Sequence, residues 1–259
     1  VMSNFVEPNS VVRRVWGDSD MILLVFTGAA AEFALNRAAD WLFFTNQLPL
    51  DPLGRLFSTV SYAQGIVFAD EPTAQATLAR IRAVHAAVEQ ARGSRIPAWA
   101  HRDVLYMLID YTERAYSLLE RRLTIREREE MFGVFHRLGE GLGVEELPAT
   151  YAEWRADRER HLRRDLAHSQ YTARLYDAYR KHLGRWRYEL LLRLQALLVP
   201  TRVRKLLRLS SLEGQLPLAC ALRAYCLSDR RLLRPLVQRA LVPPRYLDDV
   251  RRLEHEEVR

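Results

Sequence analysis

Residues 78–88 read LARIRAVHAAV, and their apolar residues have the spacing of an α-helix. Apolar side chains recur three or four positions apart at Leu78, Ile81, Val84 and Val88, which is the spacing of one face of an α-helix. His85 follows Ile81 by four positions and is therefore expected at the edge of this buried stripe. An imidazole in that place either satisfies its ring nitrogens by hydrogen bonds or offers a neutral nitrogen to a metal.

The composition extends the helical interpretation to the whole chain. Hydrophobic residues make up 49% of the 259 residues, enough for a sizeable core, whereas Gly and Pro number only 11 each. Leu, Ala, Arg and Glu dominate, and these are good helix formers. We find no internal repeat or linker. The sequence therefore predicts an all-α protein that forms one compact multi-helix domain over residues 1–259.

Capping residues and prolines divide the chain into predicted helices. Thr124 with Glu127, and Thr150 with Glu153, have the Thr-x-x-Glu spacing of a capping box. Thr73 is predicted to cap the helix that carries His85. The other predicted features are a helix from Met21 to about Phe44, a turn from Asn46 to Pro52, a helix from Leu53 to Phe68 and a helix that starts at Asp103.

Charge and cysteine content restrict the partners and the compartment. The net charge is +7, but arginines alternate with acidic residues, as in residues 126–130 and 155–160, which is typical of solvated helix faces. No nucleic-acid-binding motif accompanies them, so we expect no nucleic-acid partner.

Two cysteines and no recognisable signal peptide indicate a cytoplasmic location. No apolar run is long enough for a transmembrane span. Binding to a membrane surface remains an alternative that the sequence allows.

The segment from Pro52 to Thr59 contains the most suggestive polar pair. No Walker A loop, Gly-x-Gly-x-x-Gly, Gly-x-Ser-x-Gly or His-Glu-x-x-His motif is present. Arg55 and Thr59 are four positions apart and would share one face of an otherwise apolar helix. They are suited to bind an anionic group. Alternatively, Arg55 caps a neighbouring helix and Thr59 bonds to a carbonyl of its own helix.

The order of three short patterns resembles a known family. They are Pro-x-x-Arg-Leu-x-x-Thr in residues 52–59, Arg-x-x-His in residues 82–85 and Leu-Gly-x-x-x-Leu-Pro in residues 142–148. This arrangement is similar to that of the haem-dependent oxygenases that include the latex clearing proteins (rubber oxygenases) and the fungal endoplasmic-reticulum-bound oxygenase of mycophenolic acid biosynthesis. Relatives often carry a Tyr-x-Ala motif after the histidine, and residues 89–100 here contain no tyrosine.

The resemblance implies a haem b held between helices of an all-α domain. It places His85 as the proximal ligand of the iron and Arg55 and Thr59 in the haem pocket, where Arg55 would also contact the haem. Glu32 is the candidate for a proposed base, although its spacing from Arg55 does not match well. The implied activity is an oxygenase that uses O2 on a hydrophobic substrate (an alkene, terpenoid or lipid chain) by oxidative cleavage or hydroxylation.

Two alternatives to this activity stay open. The chain could be a non-enzymatic basic helical protein that binds a membrane surface or a partner. It could also be a haem-binding sensor or carrier without turnover. The remaining histidines lie in polar or charged contexts and are predicted at the surface or at helix ends, with His136 the next candidate as a ligand. They are His101, His136, His161, His168, His182 and His255.

Overall fold

The computed structural model describes residues 3–44 and 50–254, without the side chains of Leu42 and Arg231. The predicted turn from Asn46 to Pro52 lies largely outside these residues, and His255 lies wholly outside them. Within them the secondary structure is helical, and no strand is formed beyond two isolated β-bridges. The all-α prediction is confirmed.

The helices follow one another with short connections. They are α1 (Val11–Trp16), α2 (Ser19–Phe33), α3 (Ala39–Phe44), α4 (Pro52–Val67), α5 (Glu71–Arg92), α6 (Ala98–Leu119), α7 (Ile125–Gly141), α8 (Tyr151–Arg164), α9 (Gln170–Leu183), α10 (Arg185–Leu198), α11 (Thr201–Leu206), α12 (Leu216–Leu227), α13 (Arg230–Leu241) and α14 (Leu247–Arg252). Among the described residues, none of these helices is both long and apolar enough to cross a bilayer.

The centre of the fold is the pair α2 and α6, which pack along each other and are flanked by α1, α7 and α10. Gly28 in α2 permits the closest approach, because the ring of Tyr111 in α6 lies directly against its backbone. A Cβ atom at position 28 would come within 2.2 Å of Tyr111 Cδ1. Tyr111 is fully buried. The absence of a side chain at position 28 therefore sets the spacing of the two central helices.

We expect Gly28→Ala to destabilise the protein by about 1–3 kcal/mol, because the new methyl group overlaps a buried aromatic ring. Gly133→Ala in α7 is the matched control, since a Cβ atom there meets nothing within 4 Å. It should stabilise the helix by about 0.5–1 kcal/mol. Urea unfolding at equilibrium measures both changes. Equal effects of the two substitutions would contradict the close contact between α2 and α6.

The predicted helix from Met21 to Phe44 is two helices, which corrects that prediction. The chain leaves α2 after Phe33 and re-enters a helix at Ala39. Between them, the Asn36 side chain accepts a hydrogen bond from the Ala38 N–H at 2.8 Å and donates to Asp103. The Arg37 N–H donates to the Asp165 carbonyl at 3.0 Å. These long-range bonds replace those that a continuous helix would make.

The helix ends follow the predicted caps with two exceptions. The helix predicted to start at Asp103 begins at Ala98, so Asp103 lies inside α6, where it accepts a hydrogen bond from the Asn36 side chain instead of capping the helix. Thr124 and Glu127 form a complete capping box at the start of α7, and Thr150 caps α8. The N-cap of α5 is Asp70 rather than the predicted Thr73. The Asp70 carboxylate accepts a hydrogen bond from the Thr73 N–H at 2.9 Å. A carboxylate at this place also interacts favourably with the positive end of the helix dipole.

The predicted buried stripe of α5 holds for its first half only. Leu78 is fully buried beneath Gly141 of α7, where a Cβ atom would clash with it. Ile81 is half-buried, whereas Val84 is exposed. The second half of α5, which carries His85, is therefore covered on one side and open on the other.

Candidate functional site

The position of Arg55 is fixed by the start of α4. Asp51 is the N-cap of this helix, and its carboxylate accepts hydrogen bonds from the Gly54 N–H at 3.0 Å and from the Tyr246 hydroxyl at 2.5 Å. Pro52 occupies the first turn, where its missing N–H costs nothing. Arg55 follows within that turn, with its backbone N–H bonded to the Asp51 carbonyl.

Arg55 and Thr59 lie on one face of α4, as the spacing predicts. The Thr59 hydroxyl donates to the Arg55 carbonyl at 3.0 Å, which is the alternative interpretation of this threonine from the sequence. The Arg55 guanidinium is 3.4 Å from the Ser58 hydroxyl. No carboxylate of the described residues lies within ion-pair distance of it. Within residues 3–44 and 50–254, Arg55 is thus a half-buried cation without an acidic partner.

His85 faces α4 and α6 from the open half of α5. Its ring lies beside that of His101 in α6, with the centroids 5.0 Å apart and the planes tilted by 46°. Desolvation, the nearby His101 and the Arg55 cation together lower the pKa of His85 to about 4, against an opposing effect of Glu89. At neutral pH His85 is therefore an uncharged imidazole, the form that binds iron.

The structure brings Arg55 and His85 together and adds a residue that was not predicted. His101 was expected at the surface or at a helix end. It lies in the first turn of α6, but there it is half-buried against His85 and not at the surface. Burial lowers the pKa of His101, while Glu89 raises it. One sequence signal was available, because His101 precedes the buried Leu105 by four positions and shares its helix face.

Aromatic side chains lie two turns further along the same face of α5. The Arg92 guanidinium is 4.0 Å from the ring centroid of Trp41 and 5.5 Å from that of Phe44. It also forms an ion pair with Asp40 at 2.5 Å. This pairing fixes α3 against the end of α5. An aromatic wall and a second guanidinium are thereby placed on the side of α5 that carries His85.

Glu32 occupies a different place, in a buried ionic cluster between α2, α6 and α8. Both carboxylate oxygens accept hydrogen bonds from Arg158, and Oε2 accepts a further one from the Tyr111 hydroxyl at 2.9 Å. Arg158 also donates to Asp110 at 3.1 Å. No contact among the described residues joins Glu32 to Arg55 or His85.

Burial favours the neutral forms of two groups in this cluster. Burial and the Glu32 charge raise the pKa of Asp103 to about 8. Burial lowers the pKa of His161 although Asp165 and Asp157 favour its charged form. Around them, Arg158 binds Glu32 and Asp110, and Asp110 also binds Arg114. His161 lies in the last turn of α8, one of the two predicted places, but it is only 1% exposed and not at the surface.

We expect Asp103→Asn to flatten the pH dependence of stability. The folded pKa of Asp103 lies above its ordinary value of 3.8, so the stability contributed by the protonated carboxyl is present below about pH 4. That contribution is lost as the pH rises towards 8. The free energy of unfolding of the wild type should therefore fall across this range more steeply than that of Asp103→Asn.

Asp157→Asn is the control for this prediction. The pKa of Asp157 is lowered despite partial burial, because Tyr106, His161 and Arg160 favour its carboxylate. It does not titrate between pH 5 and 8, and its substitution should leave the slope in that range unchanged. A slope that is equal in Asp103→Asn and the wild type would contradict a neutral buried carboxyl.

The donor set fits a haem better than a bare metal ion. No group of three or more His, Cys, Asp or Glu in residues 3–44 and 50–254 could hold a metal ion. A haem iron needs only one imidazole from the protein, because the macrocycle supplies the other equatorial ligands. His85 provides a neutral imidazole, and Arg55 provides a guanidinium free to pair with a carboxylate. The residues present therefore fit a haem.

Two cavities lie away from Arg55 and His85. One of about 520 Å³ is bordered by Tyr176, Gln215 and His168. The other, of about 630 Å³, lies between α7 and the start of α8 and is bordered by Phe132 and His136. His136 lies 3.5 Å from the Glu140 carboxylate. Each of these cavities is therefore within reach of one histidine.

A protein-family model matches most of the chain. The model described as "ER-bound oxygenase mpaB/B'/Rubber oxygenase, catalytic domain" matches residues 13–227. The matched range contains Arg55, Thr59, His85 and His101. No curated protein and no solved structure is significantly similar to the chain.

Proposed function

Because the chain belongs to the family of mpaB and rubber oxygenase catalytic domains, we propose that it is a haem b-dependent oxygenase acting on a hydrophobic substrate. Membership of an oxygenase family implies an oxidoreductase that uses O2 on a small molecule. The observation that supports haem is the proximity of a half-buried, uncharged His85 to Arg55, a cation with no carboxylate within ion-pair distance among the described residues.

His85 is the proposed ligand of the iron. Its low pKa keeps the imidazole neutral, so no proton has to leave before a metal binds. His101 and the Arg55 charge both disfavour the imidazolium. His85 therefore has an unprotonated ring nitrogen available to bind a metal at neutral pH and at mildly acidic pH.

Arg55 is proposed to orient the haem or the substrate through a carboxylate. A guanidinium offers two parallel N–H groups to a carboxylate, which gives both strength and direction. The backbone bond from Arg55 to Asp51 fixes where the side chain begins. The Thr59 hydroxyl donates its hydrogen bond to the Arg55 carbonyl, so the hydroxyl oxygen of Thr59 can only accept a hydrogen bond from a group in the site.

A bound haem supplies the activation of dioxygen, and the chain supplies orientation and exclusion of water. The aromatic wall of Trp41 and Phe44 is suited to an alkene, a terpenoid or a lipid chain. Oxidative cleavage and hydroxylation are the two outcomes we propose for such a substrate. Glu32 stays outside the proposed site, because Arg158 and Tyr111 already occupy both of its oxygens.

The test is the visible absorption spectrum of protein produced with haem supply, followed by oxygen uptake in the presence of a polyisoprene alkene. We expect a Soret band and substrate-dependent uptake. A Soret band without uptake from any alkene, terpenoid or lipid substrate would favour a sensor or carrier. A colourless protein that takes up no added haem would overturn the proposal.

A further inference from the structure

Helix α13 has its polar residues towards the protein and its leucines towards solvent. Arg230, Arg234 and Gln238 are spaced four positions apart and therefore share one helix face. All three bind the body of the protein, as described below. A surface helix normally has the opposite arrangement, with its apolar stripe on the core.

The inner face of α13 is held by a dense set of polar contacts. Arg234 forms ion pairs with Asp18 at 2.8 Å and with Asp20 at 3.0 Å, at the start of α2. Gln238 is buried and donates to the Ser19 hydroxyl at 2.7 Å. Arg230 binds the Glu120 carboxylate. The orientation of α13 is therefore fixed by its polar residues.

The outer face exposes the largest apolar side chains of this region. In α13, Leu232 and Leu236 are four positions apart, with 72% and 67% of their surface exposed. The preceding helix α12 has no buried residue, and its Leu216 and Leu227 are 62% and 83% exposed. The two helices pack on each other, so these exposed leucines lie on neighbouring helices. Exposed apolar surface of this kind is typical of a binding surface rather than of an ordinary solvated helix.

Positive charge is concentrated in the same part of the chain. Residues 185–252 contain 15 Lys or Arg and five Asp or Glu, whereas the rest of the chain has 24 basic and 27 acidic residues. Arg223 lies on the face of α12 that exposes Leu216 and Leu227. Arg239 lies on the face of α13 that exposes Leu232 and Leu236. The apolar surface is thus bordered by cations.

We propose that this leucine–arginine surface, formed by Leu216, Arg223, Leu227, Leu232, Leu236 and Arg239, docks the protein on an anionic phospholipid bilayer. Leucines enter the boundary between headgroups and acyl chains, and arginines pair with lipid phosphates and carboxylates. The helices lie along the membrane surface, since none in the described ranges is suited to cross it.

Charge favours a bilayer over a second copy of the chain. A symmetric dimer would bring two copies of this surface together, so that four arginines and none of the acidic residues needed to balance them would share one interface. Like charges in contact disfavour that arrangement. An anionic membrane supplies both the apolar layer and the negative charge that the surface lacks.

The test is co-sedimentation of the full chain with vesicles of phosphatidylcholine alone or with 30% phosphatidylserine, a composition of about one anionic lipid in three. We expect binding to the anionic vesicles that weakens as salt is raised. Leu232→Gln with Leu236→Gln should weaken it about tenfold, because less apolar surface enters the interface. Arg223→Gln with Arg239→Gln should weaken binding to anionic vesicles by a similar factor of about ten.

Ile125→Gln is the matched control, because Ile125 is 71% exposed on α7, which carries none of the residues of the leucine–arginine surface. It should bind as the wild type does. Unfolding midpoints equal to that of the wild type show that each variant is folded. Absence of vesicle binding, binding unaffected by the leucine substitutions, or a dimer that these substitutions dissociate would overturn the proposal. The assay needs no haem, so its outcome is separate from that of the proposed oxygenase activity.

Discussion

His85→Ala is expected to abolish the Soret band of the haem-loaded protein. The substitution removes the only proposed bond from the protein to the iron, and no cluster of metal-ligating side chains in the described residues could replace it. Binding through apolar contacts and Arg55 alone would leave a weakly held haem that is lost on gel filtration. Absorbance near the Soret maximum, relative to that of the protein, measures the haem retained.

His136→Ala and His101→Ala are the matched controls for this prediction. His136 borders the separate cavity at α7, and its substitution should leave the band unchanged. His101 lies beside His85, so His101→Ala should keep the haem while shifting the band through the altered surroundings of the ligand. If the band survives in His85→Ala and is lost in His136→Ala, the iron ligand is His136 and the proposed site is wrong.

Arg158→Met is expected to have the largest effect on stability, a loss of about 3–5 kcal/mol. Arg158 is 3% exposed and binds Glu32 and Asp110, which are themselves buried. Methionine fills much of the same volume but leaves these carboxylates without their shared cation. The remaining negative charges would be relieved only by protonation, so the loss should be smaller at acidic pH. Urea unfolding at pH 7 and pH 5 measures both effects.

Arg160→Met on the same helix is the control, because the Arg160 side chain is 63% exposed in its ion pair with Asp157. An exposed pair of this kind contributes about 0–1 kcal/mol. A loss below about 1 kcal/mol in Arg158→Met would show that the cluster does not depend on its central cation.

Local chemistry made several elements predictable. Helix-forming residues gave the all-α class, and the caps at Thr124 and Thr150 gave the starts of α7 and α8, since a cap depends on residues within one turn. The break between α2 and α3 was missed, because the residues that end the helix, Asp103 and Asp165, are remote in sequence.

The candidate site was predictable in part for the same reason. The spacing of Arg55 and Thr59 and the resemblance to a family pointed to Arg55, whose charge acts on His85 in the structure. The neighbouring His101 was missed because its exposure depends on how α5 packs on α6. Glu32 was selected as the only glutamate of its helix, and the sequence contained no sign of its partner Arg158, 126 positions away.

The sequence by itself determined which segments are helical, where most of them begin and which residue types are available for binding an iron or an anion. These properties depend on interactions within a few residues. Only the tertiary structure decided which charged side chains are buried together, which histidine is shielded from water and which leucines stay exposed. Burial sets the cost of a charge and the gain from an apolar side chain, and burial is a property of the packed helices rather than of any one of them.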